Sequence, residues 1–185
     1  MKTGLFFGSF NPIHTGHLAI AQHILNETDL EKILFIVSPH NPFKDAKMLL
    51  PAEKRLEMLR LSITGNPGFE VSDIEFTLEK PSYTYKTLRI LKAINPMAEY
   101  ALLIGSDTLE QLPGWKQVEE ILSYPIYVYK RRGDFRNPYP DYSNIMEMDT
   151  PLLDISATAI REMIAQNKEI RYLVRDEIIN ILKNS

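Results

Sequence analysis

The 185-residue sequence has no cysteine, a single tryptophan and only four histidines. Without cysteine there is neither a disulfide framework nor a thiolate metal site. No apolar run approaches the ~20 residues that a membrane span needs. No segment repeats, and no low-complexity stretch interrupts the chain. Nothing resembling a secretory leader stands before the first apolar run, so the expectation is a cytoplasmic protein with no membrane partner. A formal charge of -3 argues against a nucleic-acid partner; any positive field has to be local. Two familiar phosphate-binding fingerprints are missing as well. Neither G-x-x-x-x-G-K-[ST] nor G-x-G-x-x-G occurs.

Hydrophobic residues make up 44% of the chain and charged ones 24%, a globular composition. A chain of this length can bury roughly two-thirds of its unfolded surface. Short apolar runs alternate with helical periods. Strands are expected over Lys2 to Phe7, Ile33 to Val37, Phe69 to Val71, Tyr100 to Ile104 and Ile126 to Tyr129, with a weaker one over Ile74 to Leu78. Helices are expected from about Thr15 to Thr28 and after Pro51, along the stripe Ala52, Leu56, Leu59 and Ile63. Others are expected around Leu88, Leu91 and Ile94, over a broken stretch from Asp107 to Leu122, over Ala157 to Ala165, and around Ile178 and Leu182. Lys130 to Tyr142, rich in Pro, Tyr and Arg, reads as loop. This alternation predicts an α/β fold: a Rossmann-like, doubly wound, mainly parallel sheet with helices on both faces. One domain over 1–185 is expected, with a helical C-terminal part from about residue 156. In such folds ligands sit at the carboxyl ends of the strands.

At that end of the first strand lies "GSFNPIHTGH", Gly8 to His17. His14 and His17 are three apart at a helix start and share a face. Incidental turn histidines are the ordinary outcome for a single His. Zinc fits poorly: helical ligand pairs stand four apart, and His23 and His40 show no ligand spacing. A phosphate site uses more of the residues. Gly8 allows close backbone approach, Pro12 fixes the turn, and the helix N-terminus with two imidazoles supplies donors. Far downstream, "ISATAIR" (Ile155 to Arg161) offers a second helix start, with Ser156, Thr158 and the guanidinium of Arg161. Taken alone it is helix capping. Together the two segments make a grip on a polyphosphate.

These two segments resemble the signatures of the nucleotidyltransferase superfamily, H-x-G-H and I-S-x-T-x-I-R. "PHNPFK" (Pro39 to Lys44), "PSYTYKTL" (Pro81 to Leu88), "LIGSDTLEQLPGW" (Leu103 to Trp115) and "YKRRG" (Tyr129 to Gly133) extend the likeness nearly end to end. The chain looks most like the bacterial nicotinate-nucleotide adenylyltransferases, although Phe7 stands where that family often has a glycine. The resemblance implies transfer of AMP from ATP to nicotinate mononucleotide in NAD biosynthesis, giving nicotinate adenine dinucleotide and pyrophosphate. Mg²⁺ would be carried by substrate phosphates and water, with no protein metal site. His14, His17 and Arg161 would be the catalytic residues. Gly8, Ser9, Phe10, Gly105, Asp107, Ser156 and Thr158 would join them around ATP. Asn41, Lys44, Thr84, Tyr85 and Trp115 would meet the mononucleotide. A nicotinamide-mononucleotide or dual-specificity enzyme, pantetheine-phosphate adenylyltransferase and a non-catalytic nucleotide-binding module remain alternatives.

Overall fold

The structure, a computed structural model, describes residues 1–39, 49–131, 133, 135–151 and 153–184. Asn41 and Lys44 lie outside the described residues. Six strands form one sheet: β1 (Lys2–Gly8), β2 (Lys32–Val37), β3 (Phe69–Ser72), β4 (Glu99–Gly105), β5 (Ile126–Tyr129) and β6 (Ile145–Met148). Every pairing is parallel, in the order β3-β2-β1-β4-β5-β6. The strand order reverses between β1 and β4, where Leu5 stands between Leu34 on one side and Leu102 on the other. Ligands of open α/β sheets bind in the crevice outside such a switch point. Here Gly8 and Gly105 end the two strands that border it.

Alternation along each strand divides the core in two. Phe6, Phe35, Ile33 and Tyr129 face one side, together with buried residues of α1 (Thr15–Glu27), α2 (Ala52–Ile63), α6 (Ala157–Ala165) and α7 (Asp176–Lys183). Leu5, Leu102, Ile104 and Val128 face the other, against α3 (Thr84–Ile94), α4 (Ser106–Gln111) and α5 (Val118–Leu122). Phe7, the departure from the family pattern, packs half-buried against this second core. The two-sided covering is what a parallel sheet of apolar strands requires. Among the described residues no helix is long and apolar enough to cross a membrane.

Two expectations are corrected. Ile74 to Leu78 alternates like a strand but folds as a 3₁₀ turn, Ile74–Thr77. Strand geometry would have put Glu75 on the polar face. Instead it is buried, accepting hydrogen bonds from Ser82 Oγ at 2.7 Å and Thr87 Oγ1 at 2.9 Å, and so ties the turn to the start of α3. The strand β6 was not expected, because "IMEM" is short and carries a charge. It forms because β5 leaves an open edge, with Ile126 opposite Ile145 and Tyr129 opposite Met148.

Candidate active site

The loop between β1 and α1 is held from several directions. Phe10 adopts a left-handed backbone (φ 44°), a conformation that persists in a non-glycine residue only where its surroundings enforce it. Its buried ring packs edge-on against Phe6, Phe35 and His17, at centroid distances of 5.7, 5.7 and 5.2 Å. A Cβ on Gly8 would stand 2.8 Å from that ring. The room on the side-chain side of Gly8 is therefore filled by Phe10. Ser9 is buried, and its Oγ has no hydrogen-bond partner among the described residues. Thr15, inside the H-x-G-H segment, donates from both N–H (2.9 Å) and Oγ1 (3.0 Å) to the carbonyl of Leu173, which docks the start of α1 on the C-terminal part.

His14 caps α1, and the rings of His14 and His17 lie 3.7 Å apart at a 31° tilt. His17 Nδ1 accepts a hydrogen bond from the His14 backbone N–H at 3.4 Å, so in the neutral ring the proton sits on Nε2. His14 is 6% exposed, and its Nδ1 has no partner among the described residues. Burial, with the positive charge of Arg131 second, lowers its pKa to about 4. At neutral pH His14 is thus an uncharged hydrogen-bonding group.

That shift makes a stability prediction. Between about pH 6.5 and 4 the unfolded chain protonates His14 while the folded chain does not. Stability conferred by the neutral ring is therefore whole above pH 6.5 and is lost as pH falls toward 4. The loss should reach about 3 kcal/mol. Denaturant unfolding of wild type and His14→Asn at pH 7, 6, 5 and 4 checks it; equal pH slopes in the two proteins would contradict the burial of a neutral imidazole.

Opposite the first loop stands the start of α6. Ser156 is its N-cap, accepting from the Ala159 N–H at 3.1 Å. Arg161 donates through Nη1 to the carbonyl of Asn11 (2.7 Å) and through Nη2 to Thr158 Oγ1 (3.2 Å). Residues 150 positions apart in sequence are joined by one side chain. Lysine cannot reproduce this fork. Arg161→Lys should lower kcat/KM for ATP at least about tenfold, roughly 1.4 kcal/mol. A steady-state ATP titration giving a value within about twofold of wild type would leave Arg161 only a structural tie between α6 and the first loop.

The crevice's other wall is the end of β4. Asp107, in the first turn of α4, faces Arg131 at 3.5 Å. A Cβ on Gly105 would lie 2.5 Å from Asp107 Oδ1 and 3.2 Å from Arg131 Nε, so a larger residue there would displace this pair from its present arrangement. Arg131 was not among the expected site residues. The signal was present in "YKRRG", but the segment by itself does not say that Arg131 pairs with Asp107.

Thr84, Tyr85 and Trp115 gather at a second place. Tyr83, the N-cap of α3, makes no side-chain cap, and no acidic residue occupies the first turn. The backbone N–H groups of Thr84 and Tyr85 have no hydrogen-bond partner among the described residues. Trp115 and Tyr85 both pack on the second core, and Lys116 lies 4.2 Å over the Tyr83 ring. Trp115 Nε1 is buried without a partner among the described residues. The Tyr85 ring itself packs against Tyr83 and against Arg89, 5.1 Å away.

Two helix N-termini, paired imidazoles and a guanidinium fork, all at the switch point of a parallel sheet, define a nucleotidyltransferase of the Rossmann-like class. The chain belongs to the cytidylyltransferase-like family, whose profile matches residues 5–163, and within it to the nicotinate-nucleotide adenylyltransferases. A Cytophaga hutchinsonii protein named "Probable nicotinate-nucleotide adenylyltransferase" is 45% identical over 98% of this chain and 95% of its own. A Bacteroides fragilis protein of the same name is 44% identical over 96% of this chain and 89% of its own. In fold, the chain is similar to Plasmodium falciparum nicotinic acid mononucleotide adenylyltransferase complexed with NaAD. The TM-score is 0.79 at 18% identity, over 97% of this chain and 95% of that one.

Proposed function

We propose that this protein transfers the AMP portion of ATP to nicotinate mononucleotide, forming nicotinate adenine dinucleotide and pyrophosphate. Membership of the family supports the reaction. The observation that supports carrying it to these residues is the tie from Arg161, in α6, to the Asn11 carbonyl in the first loop.

The nucleophile is a phosphate oxygen of the mononucleotide. Its second pKa is about 6, so it is largely ionised at neutral pH and needs no protein base. It attacks the α-phosphorus of ATP. The bond from that phosphorus to the bridging oxygen breaks, and the oxygen leaves with its electron pair as pyrophosphate. What remains for the protein is alignment of two anions and stabilisation of developing charge. The α1 start with His14 and His17 donates around the α-phosphate. Ser156, Thr158 and Arg161 hold the β- and γ-phosphates, Arg161 exchanging the Asn11 carbonyl for phosphate oxygens. Asp107 accepts from the adenosine ribose, and Arg131 adds positive charge beside it. Asn41 and Lys44 approach the mononucleotide phosphate, while the α3 start and Trp115 receive its pyridine ring.

ATP-dependent nucleotidyl transfer generally takes a divalent metal. No group of three or more His, Asp or Glu side chains among the described residues is placed to hold one. Mg²⁺ fits this site as an ion brought on the phosphates of ATP and hydrated by water. It would supply positive charge across the phosphate oxygens. We take residues 1–185 as one domain working in the cytoplasm, where both substrates are metabolites. Mixing the protein with ATP, Mg²⁺ and nicotinate mononucleotide should release one pyrophosphate per dinucleotide formed. Binding of both substrates without release would make it a nucleotide-binding module instead.

A further inference from the structure

Arg55, in the first turns of α2, is 1% exposed, and among the described residues no carboxylate pairs with it. Its Nε donates to the carbonyl of Leu50 at 2.9 Å. Its Nη1 donates to the carbonyls of Ser9 (2.5 Å) and Ser38 (2.9 Å), and its Nη2 to that of Pro39 (3.0 Å). Four of the five guanidinium N–H groups are thus spent on main-chain oxygens. A buried cation with no carboxylate in hydrogen-bonding range among the described residues, and only Glu53 acting on it from farther off, is costly. Leu56, Met58 and Leu59 around it show that an apolar side chain suits this part of the helix.

The carbonyls that it gathers come from separate segments. Ser9 belongs to the loop after β1. Ser38 and Pro39 follow β2, and Leu50 leads into α2. The Leu50 N–H in turn donates to Asn11 Oδ1 at 2.9 Å, tying the same two loops a second time. The Ser9–Phe10 peptide is trans, so with its carbonyl fixed on Arg55 its N–H points the opposite way. Phe10, the next residue, is the one held in the left-handed conformation. We propose that Arg55 is a positioning residue that sets the first loop and the end of β2 in one geometry, and so serves both nucleotides at once. This rests on the reading above, in which the first loop meets ATP and the residues after Pro39 meet the mononucleotide.

Arg55→Lys keeps the charge but has three donors on one atom and cannot span four carbonyls. Steady-state kinetics with each substrate varied, beside thermal unfolding, should show KM for ATP and for the mononucleotide each rising at least about fivefold. The same kinetics should show kcat falling at least about tenfold. Met58→Ala, a cavity in the same helix, is the control. A purely structural loss reduces the amount of folded enzyme, which lowers apparent kcat and leaves KM where it was. Wild-type KM values in Arg55→Lys, or a rise for one substrate alone, would overturn the proposal. If the lysine variant does not fold, Arg55→Gln is measured in the same way. Failure of both to fold would assign Arg55 to folding and also overturn it. Wild-type protein that releases no pyrophosphate would instead defeat the reading of the site, and that control precedes any variant.

Discussion

Replacing His17 with alanine should lower kcat by about two to three orders of magnitude with ATP saturating, the usual cost of one preorganised transition-state donor. The preorganisation is visible in three contacts. Nδ1 is engaged by the His14 N–H, one face lies against the His14 ring, and the Phe10 ring meets it edge-on at 5.2 Å. The orientation of the Nε2–H is therefore set before any phosphate arrives. Loss of the ring contacts should cost only about 1 kcal/mol of stability, a shift of roughly 2–4 °C in the unfolding midpoint. Catalysis and folding thus separate in this variant. His14→Ala should lose turnover on a similar scale. A His17→Ala enzyme within about threefold of wild-type kcat would remove the imidazoles from the chemistry.

The second large effect is the choice between nicotinate and nicotinamide mononucleotide. The start of α3 offers the unpartnered N–H groups of Thr84 and Tyr85, at the positive end of the helix dipole, with no acidic residue in the first turn. Lys116 adds positive charge beside it. A carboxylate satisfies such donors. An amide turns an NH₂ toward at least one of them, leaving it unmet at about 1–3 kcal/mol per buried group. Preference for the acid should be at least about tenfold in kcat/KM. Trp115→Ala should weaken both mononucleotides through lost stacking and leave their ratio nearly unchanged, because the carboxylate is read by backbone. A paired assay with both mononucleotides measures this directly. Equal efficiency would favour a dual-specificity enzyme and remove α3 from the specificity pocket.

Much of this was legible in the sequence because it is local. Short apolar runs marked β1, β2, β4 and β5, and Ser156 marked the start of α6. Pro51 marked the start of α2, and the H-x-G-H run located the first loop. Each signal is a matter of neighbours within one or two turns, where backbone preference and side-chain period act directly. Arg55 is three positions from Ala52 and four from Leu59, on the buried stripe of α2, where a charge asks for an explanation.

The remainder was decided by contacts that no window contains. β6 is a strand because β5 offers it an edge, and Ile74–Thr77 is a turn because Ser82 and Thr87 draw Glu75 inward. Gly8 is filled by a ring two residues away only because Phe6, Phe35 and His17 hold that ring there. Arg131 faces Asp107 because β4 and β5 are neighbours, and Arg161 reaches Asn11 because the last third of the chain folds back over the first loop. Local sequence determined most of the helices and strands and where the candidate phosphate-binding donors lie along the chain. Tertiary structure alone decided which charges are buried, which are paired, and which donors converge. Those depend on free energies of desolvation and packing that exist only once distant segments have met.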